Sequence, residues 1–125
     1  MFELSQTFTF DAAHTLKRHV SPEEAAGSRR IHGHTYTAEV AVKGPRLPDT
    51  GMVMDLSLLR ATLAEVRSQL DHHLLDEVPG LGAPTLENLC VFIFEQVNAR
   101  IAQVTVSMVC VSRAAGDRCV FRPQA

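Results

Sequence analysis

Phe2, Leu4, Gln6, Phe8 and Phe10 recur at every second position, with Thr7 and Thr9 between them. That period, in residues that favour extended backbone, predicts a strand. From His14 to Arg30 the pattern breaks around Pro22 and Gly27, which predicts a loop with a short helical turn near Glu23 to Ala26. Alternation returns from His32 to Val42, where Tyr36, Ala38, Val40 and Val42 face one way and Thr35, Thr37, Glu39 and Ala41 the other. Gly44-Pro45 and Pro48-Asp49-Thr50-Gly51 close this second strand with turn residues.

The period then changes to that of a helix. Leu56, Leu59, Leu63, Val66 and Leu70 form an apolar stripe, and Asp55 is placed to cap its start. Asp71-His72-His73 ends this helix or follows it closely, and Val78 to Gly82 is a loop. A second helix opens at Pro84 or Thr85 and buries Leu86, Leu89, Cys90, Ile93, Val97 and Ile101. Gln103 to Val111 alternates again, with Val104, Val106, Met108 and Cys110 on one face. A turn over Ala114 to Asp117 leads to a last strand, Arg118 to Arg122. Strand, strand, helix, helix, strand, strand predicts an α+β fold: one antiparallel sheet with both helices on one face. The 125 residues suit one domain spanning 1–125.

Composition narrows the function classes. A hydrophobic fraction of 46% and a charged fraction of 21% are those of a globular protein. The net charge of -2 gives no overall pull toward nucleic acid or anionic lipid. No apolar run approaches the ~20 residues of a membrane span, and Met1 to Phe10 does not read as a signal peptide. Cys90, Cys110 and Cys119 are odd in number and lack metal-finger spacing, so reduced thiols and a cytoplasmic protein are expected.

The sharpest local signal is His32-Gly33-His34. On a strand, residues i and i+2 point to one face, so both imidazoles can approach one ion from the same side. His14 lies just past the first strand, which can pair with the second. Three neutral imidazoles make a borderline-soft donor set that suits zinc and leaves a fourth position open, as catalytic zinc requires. Taken alone, a His-x-His pair is also common as an ordinary surface or hydrogen-bonded pair. Asp71-His72 is the second candidate, because an aspartate beside a histidine holds one tautomer and stabilises the protonated ring. A helix C-terminus would favour His there as well, with no further role. Ser28-Arg29-Arg30, just before His32, reads as a solvated loop or as an anion site near the metal.

Five segments stand together in one order: Phe10-Asp11-Ala12-Ala13-His14; His32-Gly33-His34; Gly51-Met52-Val53-Met54-Asp55-Leu56; Leu70-Asp71-His72-His73-Leu74-Leu75; and Pro84-Thr85-Leu86-Glu87-Asn88-Leu89. In this the chain resembles the 6-pyruvoyl-tetrahydropterin synthase and 6-carboxy-tetrahydropterin synthase family. The resemblance implies the tunnelling fold and homo-oligomeric rings built on trimers, as in a hexamer, with active sites at subunit interfaces. It implies Zn2+ on His14, His32 and His34, a proton relay of Asp71 and His72, and a small-molecule substrate, dihydroneopterin triphosphate. It implies a lyase that eliminates triphosphate or, in the bacterial branch leading to the queuosine precursor, releases acetaldehyde.

Two positions depart from the family pattern. Ser28 stands where the family has its catalytic Cys, and a hydroxyl is a far poorer base than a thiolate. Val111 stands where the family has the Glu that grips the pterin ring, while Arg113 nearby favours an anionic group. Glu87, after Pro84-Thr85 at the start of the second helix, matches a further acidic position of the family and reads either as a substrate-side residue, together with Thr85, or as one that holds the helix start. Three readings follow: a zinc-dependent pterin lyase, a paralogue for another small anionic substrate, and a zinc-binding protein without activity. The intact Asp71-His72 pair speaks against the last of these.

Overall fold

The structure, a computed structural model, describes residues 1–15 and 31–124. Ser28, Arg29, Arg30 and the helical turn expected near Glu23 to Ala26 lie outside the described residues. Four strands, β1 (Phe2–His14), β2 (His32–Gly44), β3 (Thr105–Arg113) and β4 (Arg118–Phe121), form one antiparallel sheet in the order β1-β2-β3-β4. Between β2 and β3 come the helices α1 (Leu56–Ser68) and α2 (Leu86–Arg100), joined through a 3-10 turn at Leu75–Glu77 that the sequence pattern did not predict.

Both helices start as expected. Asp55 accepts a hydrogen bond from the Ser57 amide at 2.8 Å, and Thr85 Oγ1 accepts one from the Asn88 amide at 3.1 Å. Each satisfies a first-turn donor that would otherwise be lost, a contribution of about 1 kcal/mol. The stripe Leu59, Leu63, Val66 and Leu70 is buried, as are Leu89, Cys90, Phe92, Ile93 and Val97 of α2. Leu56 and Leu86 remain partly exposed, and Phe92, outside the expected stripe, is buried instead. Opposite the helices lie Phe10, Ala12, Tyr36, Ala38, Val40 and Val42, all buried.

β1 and β2 pair along their whole length, with Phe10 opposite Tyr36, Ala12 opposite His34 and His14 opposite His32. Even-numbered residues of this hairpin therefore face the helices, and Asp11 and its partner Thr35 face the other way. β3 does not keep the single alternation expected for it. Its register shifts at Ala41/Val42, where Met108 pairs with Ala41 but Val106 with Val42. This leaves Ser107 as the extra residue of a β-bulge, and its hydroxyl donates to the Ala41 carbonyl at 3.3 Å. Beyond the bulge Val109, Val111 and Arg113 stand opposite Val40, Ala38 and Tyr36. The face expected from Val106, Met108 and Cys110 is thus split, and Val111 is fully buried in the core.

Cys90 and Cys110 are buried and all three cysteines are free, as expected from their number and spacing. Burial pushes the Cys90 thiol up to about 12, so it is inert as a nucleophile near neutral pH. Among the described residues no helix is long and apolar enough to cross a membrane.

Candidate metal centre and proton relay

The hairpin register brings His14 and His32 side by side at the open end of β1 and β2, with His34 one pleat further in. Ring centroids lie 4.5 Å apart for His14 and His32, 5.0 Å for His14 and His34, and 5.3 Å for His32 and His34. One nitrogen of each ring falls within 4.8 Å of the others. His14 Nδ1 lies 3.2 Å from the Thr15 carbonyl, which assigns the ring proton to Nδ1 and leaves Nε2 as a lone-pair donor. The Nε2 atoms of His14 and His34 are buried and meet no hydrogen-bond partner among the described residues. Buried polar atoms are rarely left so, and a cation between the rings would use both lone pairs. The donor set fits zinc on chemistry as well as on placement.

Charge arguments agree. Burial pulls the pKa of His14 down, and burial followed by the Arg113 charge does the same for His34. Both rings are therefore neutral at neutral pH, the state a metal ligand needs. The Gly33 position is not dictated by space: a Cβ there would meet only the Ala12 carbonyl oxygen, at 3.7 Å.

A second cluster stands on the opposite face. Asp11, Asp71 and His72 bring one ligand atom each within 4.8 Å of one another. His72 Nδ1 lies 2.8 Å from Asp71 Oδ2, while Asp71 Oδ1 accepts the Asp11 amide at 2.9 Å. Arg67 adds an ion pair to Asp71 at 3.1 Å. The Asp11 amide hydrogen bond, then the one to His72, holds the Asp71 carboxyl below the usual carboxylate range. His72 itself is 78% exposed and sits at φ 59, a left-handed conformation that costs an ordinary residue roughly 1 kcal/mol or more. Leu70 and Leu75, both fully buried, bracket this segment. At ~1.5–3 kcal/mol each, they hold the exposed His72 in place. An open cleft of about 510 Å³ runs past Asp11, Gly33, His34, Thr35, His72 and His73. His73 does not join the Asp71–His72 pair: its Nδ1 turns back to the Asp71 carbonyl at 2.8 Å.

The other sequence-predicted residues divide. Arg113 lies beside the histidines, on the same face as His34 and opposite Tyr36 in the ladder. It pairs with Asp117, and its Nε is buried without a partner among the described residues. Thr85 uses its hydroxyl as the helix cap and Glu87 is exposed on the first turn of α2. Among the described residues no hydrogen bond joins either to His14 or His34. Ser28 lies outside the described residues. Sequence reasoning missed Asp11 and Asp76. Asp11 stands inside one of the five motifs but is brought to Asp71 only by the fold.

Fold and site together define a class: a small α+β protein of the tunnelling type, with a three-imidazole centre at the mouth of its hairpin. Comparison with known proteins narrows this. Residues 3–124 match the family described as 6-pyruvoyl tetrahydropterin synthase, and the chain belongs to that family, whose members are lyase-type enzymes. A 6-carboxy-5,6,7,8-tetrahydropterin synthase of Synechocystis sp. is 38% identical over 78% of this chain and 75% of its own. Its counterpart in Bacillus subtilis is 30% identical over 98% and 86%. A dihydroneopterin monophosphate aldolase of Pyrococcus furiosus is 33% identical over 74% of this chain and 72% of its own. The 6-pyruvoyl tetrahydropterin synthase of Caenorhabditis elegans shares the fold, with a TM-score of 0.85 at 23% identity over 98% of this chain and 96% of that one.

Proposed function

We propose that this protein is a zinc-dependent lyase of the 6-carboxy- or 6-pyruvoyl-tetrahydropterin synthase type, acting on dihydroneopterin triphosphate or a related pterin. The observation that carries the reading is the pair of buried, unpartnered Nε2 atoms on His14 and His34, converging with His32 in a chain of this family. His14, His32 and His34 would hold the ion. A bound zinc supplies Lewis acidity toward the hydroxyls of the substrate side chain, which eases loss of the adjacent protons.

The chain's own residues do the rest. Asp71 holds His72 Nδ1, so that His72 Nε2 is free to take up or return a proton. Because His72 and the three histidines stand on opposite faces of the β1–β2 hairpin, His72 serves the metal site of a neighbouring copy in a homo-oligomeric ring. Ser28, at the family's Cys position, acts as a weak substitute base or only as a hydrogen-bond donor. Thr85 and Glu87 border the substrate from the start of α2.

A second reading is favoured by the fully buried Val111 and by Arg113 beside His34. With a guanidinium in place of a carboxylate at this end of the site, the substrate head is an anionic group, and the enzyme is a paralogue of the pterin lyases. The named activity of the Pyrococcus relative, toward a monophosphate, is in keeping with variation of substrate in this family.

The test is product analysis after zinc-loaded protein is incubated with dihydroneopterin triphosphate, beside a Ser28→Cys variant. Turnover by the native chain supports the first reading and makes the Cys dispensable. Turnover by Ser28→Cys alone shows an intact pterin site that lacks its base. If neither chain reacts while zinc is bound, the pterin reading is lost, and another anionic substrate or a zinc-binding role without activity takes its place.

A further inference from the structure

β1 is an edge strand, yet the outward amides near its end are all engaged. The Asp11 amide donates to Asp71 Oδ1 at 2.9 Å, the Ala13 amide to the His73 carbonyl at 3.2 Å, and the Thr15 amide to Asp76 Oδ1 at 2.9 Å. The segment from Asp71 to Asp76 therefore runs along β1 as a short substitute strand, with an aspartate side chain at each end. A parallel bridge between Ala13 and Leu74 fixes its register. Asp71, at one end, belongs to the relay already described. Asp76, at the other, has no part in it.

Asp76 uses both carboxylate oxygens on a single residue. Besides the amide, the Thr15 hydroxyl donates to its Oδ2 at 2.5 Å. Thr15 is the residue whose carbonyl receives the His14 ring N–H, and His14 is deeply buried, at 2% exposure. We propose that Asp76 is a positioning residue of the metal centre: it clamps Thr15 so that the Thr15 carbonyl holds His14 Nδ1 and aims Nε2 at the point shared with His32 and His34. The inference rests on the metal reading of these histidines given above.

The physical case is one of freedom. β1 ends at His14. Thr15 lies beyond the ladder, and among the described residues it has no strand partner to fix its peptide plane. Two hydrogen bonds to one carboxylate, with Asp76 itself tied to the turn after the buried Leu75, replace that partner. Groups that orient a ligating imidazole through its second nitrogen typically change metal affinity 10–100-fold, as an order of magnitude.

The experiment is zinc affinity, read by competition with a chromophoric chelator, for the full chain and for Asp76→Ala, Asp76→Asn and Thr15→Val, with melting of each metal-free chain alongside. Asp76→Ala is expected to bind zinc about 10–100-fold more weakly. Asp76→Asn keeps an oxygen for the Thr15 amide and an N–H for its hydroxyl, so it is expected to stay within about threefold of the native chain. Thr15→Val keeps the shape and loses one of the two bonds, so it is expected to fall between them. If Asp76→Ala does not fold without metal, the order of Thr15→Val below Asp76→Asn carries the test. Equal affinities in all four chains overturn the proposal while leaving the metal reading intact. A fall in Asp76→Asn as deep as that in Asp76→Ala also overturns it, since charge rather than position would then be responsible. A native chain that takes up no zinc overturns both.

Discussion

His14, His32 and His34 stand on the face of the β1–β2 hairpin that looks toward the helices, where burial lowers the pKa of His14 and His34 and strips the Nε2 atoms of both of other partners. Asp71 and His72 stand at the edge and on the other face, where His72 is largely in water and its backbone is left-handed. His14 and His34 need dryness, because an imidazole kept neutral with an unpartnered Nε2 is ready to ligate. The second is open to solvent, as the proposed function requires of a residue that moves protons to a substrate. The hairpin carries the first group, and the edge of β1 holds the second beside it, through the Asp11 amide that donates to Asp71 Oδ1. Cys90 extends the contrast: burial keeps its thiol protonated, and it lies in the core, away from both clusters.

The comparison can be broken most decisively at the metal. His34→Ala should lose zinc from the purified protein, with at least a ~100-fold drop in affinity, since a tetrahedral site with two protein ligands is poorly held. His72→Ala should keep its full zinc content by elemental analysis. Parallel loss of zinc in both would show that the two faces are one site within a single chain.

Turnover is the next test. His72→Ala should lower kcat by roughly 10²–10⁴-fold, the usual worth of a placed acid or base, with zinc retained. Mixing inactive His34→Ala and His72→Ala chains under conditions that exchange subunits should restore part of the activity. Each mixed interface can pair an intact metal site on one copy with an intact relay on the other. No recovery from mixed rings would place the relay and the metal in the same chain.

The smallest effect is on acid stability. Hydrogen bonds hold Asp71 below its ordinary range; burial pushes Asp76 upward, but the bonds from the Thr15 hydroxyl and amide outweigh it and hold that carboxyl below as well. A carboxyl whose folded pKa is depressed contributes stability that is present above the unfolded value, near 3.8. That stability is lost as pH falls through the lower folded value. Metal-free protein should therefore lose stability below about pH 4, and Asp71→Asn should flatten that fall, measured as the urea midpoint against pH. An unchanged slope would mean that the exposed pair contributes nothing to the fold and serves the reaction alone.

Much of the fold is legible in the chain alone. Period-two runs mark the first two strands, the 3.6-residue stripe marks α1, and Asp55 and Thr85 are readable as caps because capping depends on residues three or fewer apart. The facing of the third strand is not legible in this way, because a bulge at Ser107 leaves no local signature that separates it from plain alternation. The 3-10 turn at Leu75–Glu77 escapes for a similar reason: three residues are too few to show a period.

For the site, local spacing determined that His32 and His34 share a face, and the order of the five motifs marked the family. Only the tertiary structure decided that His14 meets them, since that follows from a register linking residues 18 apart in sequence, His14 opposite His32. It alone set Arg113 beside His34, through the bulge that turns Val109, Val111 and Arg113 inward. It alone joined Asp76 to Thr15 across 61 residues. Sequence carries short-range periodicity and chemistry, because these depend on neighbours along the chain. Contacts between distant segments depend on packing and register, which the whole core decides together.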